Sequence, residues 1–120
     1  MKLIKNDGFR ELFFLRDGLN EQFLDESLIK SLQENTEPVV INLKALPFIS
    51  SEDMIGLLRW LSDIELISDA FIVIFASSFA CRVIKAVLGD EYPVFTLRSE
   101  LEVSIRQDVA ANEKELLWGQ

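Results

Sequence analysis

The feature that most constrains the fold is a pair of short apolar runs separated by a helical pattern. Residues 39–43 read VVINL and residues 71–75 read FIVIF, and both runs are rich in β-branched or aromatic side chains. Runs of this length and composition are typical of buried strands in an α/β sheet. Between the runs, apolar side chains recur every three or four residues, at Met54, Leu57, Leu58, Leu61 and Ile64. This spacing predicts a helix that begins near Ser51 and packs one apolar face on the sheet.

The N-terminal third predicts a hairpin followed by a helix. Asp7-Gly8 is a two-residue turn signal, and it separates two candidate strands at 2–6 and 9–15. Asn20 has the side chain of a helix N-cap, and apolar residues follow it at helical spacing as far as Leu32. The sequence around Pro38 ends that helix.

The C-terminal half continues the alternation of helix and strand. Residues 79–88 form a third helical pattern with Gly89 as its C-cap, and residues 94–97 form a last short strand. Ser99 and Glu102 have the spacing of a capping box, which predicts a fourth helix running to Val109. Because residues 71–75 form the most apolar run, we expect them to be the central strand.

The predicted order is therefore β-β-α-β-α-β-α-β-α, an α/β domain with a mixed sheet of four to five strands and about four helices. The crossovers between parallel strands should be right-handed. We expect one domain over residues 1–112 and an extension over residues 113–120. The extension contains Leu116, Leu117 and Trp118. It either prolongs the last helix or binds a surface.

Charge and composition disfavour several classes of partner. Twelve basic and twenty acidic residues give a net charge of −8, which repels nucleic acid phosphates and anionic membrane surfaces. The longest apolar run, residues 70–76, is far shorter than the ~20 residues that span a bilayer. The N-terminus is too polar for a secretory signal. These features predict a cytoplasmic protein without membrane insertion.

The residue types also disfavour catalysis. The chain has no histidine, so it cannot form a Ser-His-Asp triad or a Cys-His pair. Cys81 is the single cysteine, and we expect it to be a buried hydrophobe. No residues have metal-ligand spacing, and the acidic side chains between Glu52 and Asp69 read as a solvated helix face. We therefore predict no enzyme, no cofactor and no metal.

The segment with the clearest functional pattern runs from the first of the two apolar runs, residues 39–43, into the helix that follows. Residues 39–58 place a loop and two serines, Ser50 and Ser51, between a buried strand and a helix N-terminus. Loops at this edge of an α/β sheet commonly form binding sites, and a helix N-terminus favours an anionic group. Ser50 with Asp53 also fits a capping pattern. Ser77 and Ser78 should lie on the same edge, with Ser78 as a cap.

This segment resembles the STAS family, the fold of the anti-sigma-factor antagonists. The family pattern is a strand ending in Asp-Leu, then Phe-Ile, then Asp-Ser-Ser/Thr-Gly, then Leu and a helix. The corresponding elements here are Asn42-Leu43, Phe48-Ile49, residues 50–54 (SSEDM) and Leu57-Leu58. The later strand at 71–75 and the helix at 79–88 before Gly89 also resemble the family, so the resemblance covers about residues 1–112.

The resemblance implies a regulatory protein–protein interaction module. In the bacterial antagonists, the serine that aligns with Ser51 is phosphorylated by a partner that is both a kinase and an anti-sigma factor. The unphosphorylated form binds this partner, and a phosphatase resets the switch. The resemblance thus implies phosphorylation at Ser51, with Ser50 as the alternative. The expected partner-binding residues are Phe48, Ile49, Ser50, Ser51, Glu52, Asp53, Met54, Ile55, Ser77 and Ser78.

The chain departs from the family pattern beside Ser51. Ser50 replaces the family aspartate, Glu52 follows the serine, and Asp53 replaces the glycine. Two acidic side chains in the first turn satisfy the helix dipole and repel a phosphate. The alternative is therefore a non-phosphorylated structural subunit of a larger assembly, such as a transporter accessory or a stressosome-like scaffold. Trp60 lies off the main apolar stripe, and we expect it to be buried rather than a binding anchor.

Overall fold

The computed structural model describes residues 2–15, 24–34 and 36–107, and it opens with the predicted hairpin. Strands β1 (Lys2–Asn6) and β2 (Phe9–Phe13) pair antiparallel, with Asn6 opposite Phe9. Gly8 has a φ of 85°, a backbone conformation that L side chains rarely adopt. The glycine is therefore what permits this tight turn.

The rest of the chain alternates between helices and parallel strands. Helix α1 (Glu26–Gln33) leads to β3 (Val39–Asn42), α2 (Ser51–Ile67) to β4 (Ile72–Phe75), and α3 (Ser78–Leu88) to β5 (Val94–Phe95). A fourth helix, α4, occupies residues 98–107 and reaches the end of the described range. Gly89 closes α3 with a φ of 61°, as predicted for a C-cap.

The five strands form one mixed sheet in the order β1-β2-β3-β4-β5. Strands β2 to β5 are parallel, so their C-terminal ends meet at one edge, here called the carboxyl edge. The α/β class, the mixed sheet and the four helices confirm the coarse prediction from the sequence. The middle strand of the five is β3, whereas residues 71–75, which we expected to be central, contain β4, an interior strand between β3 and β5.

Helices cover both faces of the sheet. The larger core lies under α1, α2 and α3, and it includes Leu12, Ile41, Leu57 and Ile84, each 0% exposed. Trp60 lies in this core at 1% exposed, as predicted, and its ring contacts Phe14 edge to face at 5.1 Å between centroids.

The smaller core lies under α4 on the opposite face. Leu101 and Ile105 pack there against Val40 of β3 and Val73 of β4. Strands β3 and β4 thus carry apolar side chains on both faces of the sheet. This explains why the runs at 39–43 and 71–75 read as continuous rather than alternating hydrophobic sequence.

Three predicted helix starts differ from the structure. Asp25 caps α1 by accepting a bond from the Leu28 amide, whereas the predicted cap Asn20 lies outside the described residues. Ser77, and not Ser78, caps α3.

The third difference is at α4, which is already helical at residue 98, one position before the predicted cap Ser99. The Leu101 amide bonds the Leu97 carbonyl, so the first helical turn starts there. The proposed boundary between residues 112 and 113 lies outside the described residues. Across the described ranges, no helix has the length and apolar character needed to cross a membrane.

Candidate functional site

An exposed apolar side chain follows each of the four parallel strands. Leu15, Phe48, Phe79 and Leu97 come shortly after β2, β3, β4 and β5 respectively, and each is at least 51% exposed. Single exposed apolar residues are common on protein surfaces, whereas a set gathered at one edge marks an interaction site. Because parallel strands end at the same edge, the fold brings together residues that are up to 82 positions apart in sequence.

Two of these residues form an exposed aromatic pair. The rings of Phe48 and Phe79 meet edge to face with their centroids 5.7 Å apart, although Phe48 is 70% exposed. The loop that carries Phe48 is joined to the start of α3, which carries Phe79, because the Ser77 hydroxyl donates to the Pro47 carbonyl at 3.3 Å. Ile55, in the first two turns of α2, is also exposed. A rigid apolar pair of this kind is a suitable anchor for a protein partner.

The start of α2 is fixed by a complete capping box. The Ser50 hydroxyl accepts a bond from the Asp53 amide at 3.1 Å, and the Asp53 carboxylate accepts one from the Ser50 amide at 3.0 Å. The predicted capping role of Ser50 is therefore confirmed. Ser51 is the first helical residue, it is exposed, and its side chain takes no part in the cap.

The structure divides the predicted partner-binding residues into two groups. Phe48, Ser50, Ser51, Glu52 and Ile55 are exposed. Ile49 and Met54, in contrast, are 8% and 7% exposed and belong to the main core. Ile49 and Met54 pack the loop and the helix onto the sheet, and a direct contact of these two residues with a partner stays a prediction.

The remaining predicted residues lie at the same end of α2 and α3. Asp53 and Ser77 are partly exposed, and Ser78 is exposed. Sequence reasoning missed Leu15, Phe79 and Leu97 as members of the exposed set. The signal that could have found them is an apolar residue within a few positions of the end of a parallel strand, because such residues lie at the carboxyl edge of the sheet.

The loop between β3 and α2, residues 43–50, is here called the docking loop, and short-range bonds define its course. The Asn42 side-chain oxygen accepts from the Lys44 amide at 2.9 Å, and the Leu46 amide donates to the Leu43 carbonyl at 2.9 Å. The Lys44 ammonium donates to the Thr96 carbonyl at 2.8 Å and lies over the Phe75 ring. The loop is thereby tied to β4 and to the residue that follows β5.

A buried carboxylate lies beneath this loop. Glu11 on β2 is 0% exposed, and it accepts bonds from Asn6 at 3.0 Å and from Asn42 at 2.7 Å. Arg98, at the start of α4, binds both Glu11 oxygens at 2.7 and 2.8 Å. Burial pushes the pKa of Glu11 upward, but the bonds from Arg98 and Asn42 outweigh it and hold the pKa below its ordinary value. The group is therefore a stable carboxylate at neutral pH and not a proton-transfer residue.

The neighbouring residue Arg10 is buried on the opposite face of β2. Its guanidinium donates to the carbonyls of Ser31, Leu32 and Glu37 at 3.0, 2.9 and 2.6 Å. Two of these carbonyls lie in the last turn of α1, where the helix dipole favours a positive charge. Burial lowers the pKa of Arg10 from its ordinary value, but a guanidinium stays protonated. Arg10 thus has a structural role in seating α1.

Among the described residues, no group of three or more His, Cys, Asp or Glu side chains could hold a metal ion. Cys81 is buried, as predicted, with its sulfur near the carbonyls of Ala76 and Phe95. A cleft of about 500 Å³ lies between the β1–β2 turn and α4, lined by Phe9, Arg98 and Arg106 among others. None of the residues that line this cleft lies in residues 39–58, the segment with the clearest functional pattern.

The chain matches no protein family model, no curated protein and no solved structure. The resemblance described above therefore rests on the order of elements and on the residues around Ser51.

Proposed function

We propose that this domain is a regulatory interaction module that binds a protein partner through its carboxyl edge, in the manner of an anti-sigma-factor antagonist. The observation that carries the proposal is the exposed aromatic pair, Phe48 and Phe79, beside the exposed Ser51. The partner would be of the anti-sigma-factor and serine-kinase type, and a phosphatase would act on the modified form.

The proposal is supported by the neighbourhood of exposed and buried apolar side chains at the carboxyl edge. Phe48 and Ile55 offer apolar area to a partner, while Ile49 and Met54 anchor the same elements in the core. A preorganised surface loses little conformational entropy on binding, so more of the contact energy appears as affinity. The net charge of −8 opposes association of the chain with itself and favours a partner whose surface is basic.

Phosphorylation of Ser51 would control this binding. Ser50 already uses its hydroxyl as a cap, so Ser51 is the more accessible acceptor of the two. A phosphate would add about 1.5 to 2 negative charges. These charges would lie beside Glu52 and Asp53 and three residues from Phe48. Burying them under a partner would cost desolvation energy and like-charge repulsion, so the modified form should be released.

The alternative function is a structural subunit that binds its partner constitutively. The observation that favours it is the capping box itself, because the Asp53 carboxylate already neutralises the positive end of α2. Under this alternative, the partner stays bound whether or not a kinase and ATP are present.

The docking proposal can be tested by site-specific photocrosslinking in the native cell. We expect a benzoylphenylalanine that replaces Phe48 to give one discrete adduct with a partner. The same group at Val87, which is also about half exposed but lies at the far end of α3, serves as the matched control. Ile55→Asp should reduce the adduct at least tenfold without unfolding the domain. The same adducts at both positions, or none at Phe48, would contradict docking at this edge.

The phosphorylation proposal needs a separate measurement. Intact mass of the protein from the native cell should show a phosphate-sized addition that disappears in Ser51→Ala and persists in Ser50→Ala. Loss of the addition in Ser50→Ala alone would move the acceptor to Ser50. An unmodified protein that still gives the Phe48 adduct would favour the constitutive subunit.

A further inference from the structure

The Asn42 side chain connects the docking loop to the interior of the sheet. Its oxygen accepts from the Lys44 amide, which starts the loop, and its nitrogen donates to Glu11 at 2.7 Å. If the amide were flipped, its oxygen would face the Glu11 carboxylate and its nitrogen would face the Lys44 N–H, and both contacts would be repulsive. The position of the Glu11 charge therefore dictates the orientation of Asn42.

The Glu11 charge in turn depends on Arg98. Glu11 is fully buried, and an unpaired carboxylate in such a site would take up a proton. Arg98 prevents this by binding both carboxylate oxygens, at 2.7 and 2.8 Å. A protonated Glu11 would present a donor in place of one acceptor, and the Asn42 nitrogen would compete for the acceptor that remains.

Arg98 does not belong to the docking loop or to its flanking strands. It is the first helical residue of α4, which packs on the opposite face of the sheet from α2. Its aliphatic and cationic groups lie near the rings of Phe9 and Phe75, with guanidinium-to-centroid distances of 5.8 and 5.9 Å. These contacts hold the guanidinium over Glu11.

We propose that Arg98 and Glu11 are positioning residues for the docking loop, acting on it through the Asn42 amide. Helix α4 thereby influences the conformation of a loop at the carboxyl edge of the sheet. That this loop binds a partner rests on the proposed function above, whereas the positioning of the loop does not.

Amide hydrogen exchange by NMR tests the positioning directly. In Arg98→Gln, we expect the protection of the Lys44 amide to fall at least tenfold more than that of the Ile74 amide, which is bonded to the Pro93 carbonyl inside the sheet. Arg106→Gln is the matched control, because Arg106 is on the same helix but pairs only loosely with Glu102, at 3.9 Å. It should change both protections less than twofold. If Arg98→Gln does not fold, Arg98→Lys keeps the charge and should give at least a threefold difference.

Equal losses at Lys44 and Ile74 would overturn the proposal, because they would mean that Arg98 supports only overall stability. Unchanged protection at Lys44 would overturn it as well. The exchange measurement needs no partner, so it separates this inference from the proposed function. If benzoylphenylalanine at position 48, with no other substitution, gives no adduct while the exchange result holds, docking fails and the positioning link stands.

Discussion

Replacing Asn42 by aspartate changes one NH₂ group into an oxygen and nearly preserves volume. In the folded protein the new carboxyl would lie within hydrogen-bond distance of Glu11, because the Asn42 nitrogen is 2.7 Å from a Glu11 oxygen. Two carboxylates this close in a buried site cannot both ionise, so the new group must stay protonated. The substitution therefore converts a favourable contact into a site that binds a proton at neutral pH.

The cost of the substitution follows from the pKa of aspartate in the unfolded chain. That pKa is about 3.9, and holding the proton costs about 1.4 kcal/mol for each pH unit above it, or roughly 4 kcal/mol at pH 7. The protonated carboxyl can still donate to Glu11, so this figure is an upper limit. The sign is set by proton binding: the folded state carries the proton and the unfolded state does not, so stability falls as pH rises.

Urea unfolding followed by circular dichroism would measure this effect between pH 5.5 and 7.5. We expect the difference in unfolding free energy between wild type and Asn42→Asp to grow by about 1.4 kcal/mol for each pH unit. Asn6→Asp is the matched control, because Asn6 bonds the same carboxylate at 3.0 Å but is partly exposed to water. Its cost should stay below about 1 kcal/mol and change little with pH.

A pH-independent cost for Asn42→Asp would refute the reasoning. It would mean that the new carboxyl is ionised in the folded state, and therefore that Asn42 does not face the Glu11 charge. An equal pH slope in Asn6→Asp would also contradict it, because solvent exposure would then make no difference to the penalty.

Three further predictions concern single contacts. Ser50→Ala removes the capping bond and should cost about 1 kcal/mol in thermal unfolding, whereas Ser51→Ala should cost less than about 0.5 kcal/mol; equal effects would contradict the distinct roles of the two serines. Arg10→Met leaves three carbonyls without their donor and should cost about 3 kcal/mol in urea, and a neutral effect would show that water replaces the guanidinium. Because the pKa of Glu11 is lowered, its contribution is complete above the unfolded pKa of about 4.3 and is lost as pH falls through the folded value. Glu11→Gln should therefore be less sensitive to acid than wild type, and parallel acid-unfolding curves would contradict this.

The alternation of helices and strands follows from local signals in the sequence. Asp7-Gly8 specifies the hairpin, Gly89 ends a helix, and apolar spacing specifies α2 and α3, since these features act within a few residues. The parallel order then brings the carboxyl edge together by topology. A site around Ser51 can therefore be predicted from the order of the elements, without knowledge of any side-chain contact.

The buried charges could not be predicted in the same way. Arg10 and Glu11 are adjacent polar residues in β2, a pattern that reads as solvent-exposed. They are buried on opposite faces because β2 lies between β1 and β3, and their partners are distant segments, including Arg98 at 87 positions from Glu11.

The two edge strands of the sheet, β1 and β5, affect whether the molecule can pair strand to strand with another copy. A free strand edge is a template for pairing with another copy, and proteins commonly block it with lysine or with very short strands. Strand β1 carries Lys2 and Lys5, both exposed, and β5 contains only two residues. Neither end of the sheet offers a long uncharged stretch of backbone, so the chain can display apolar side chains at high concentration without polymerising strand to strand. Substitutions among those side chains would then leave the protection of the two strand edges unchanged.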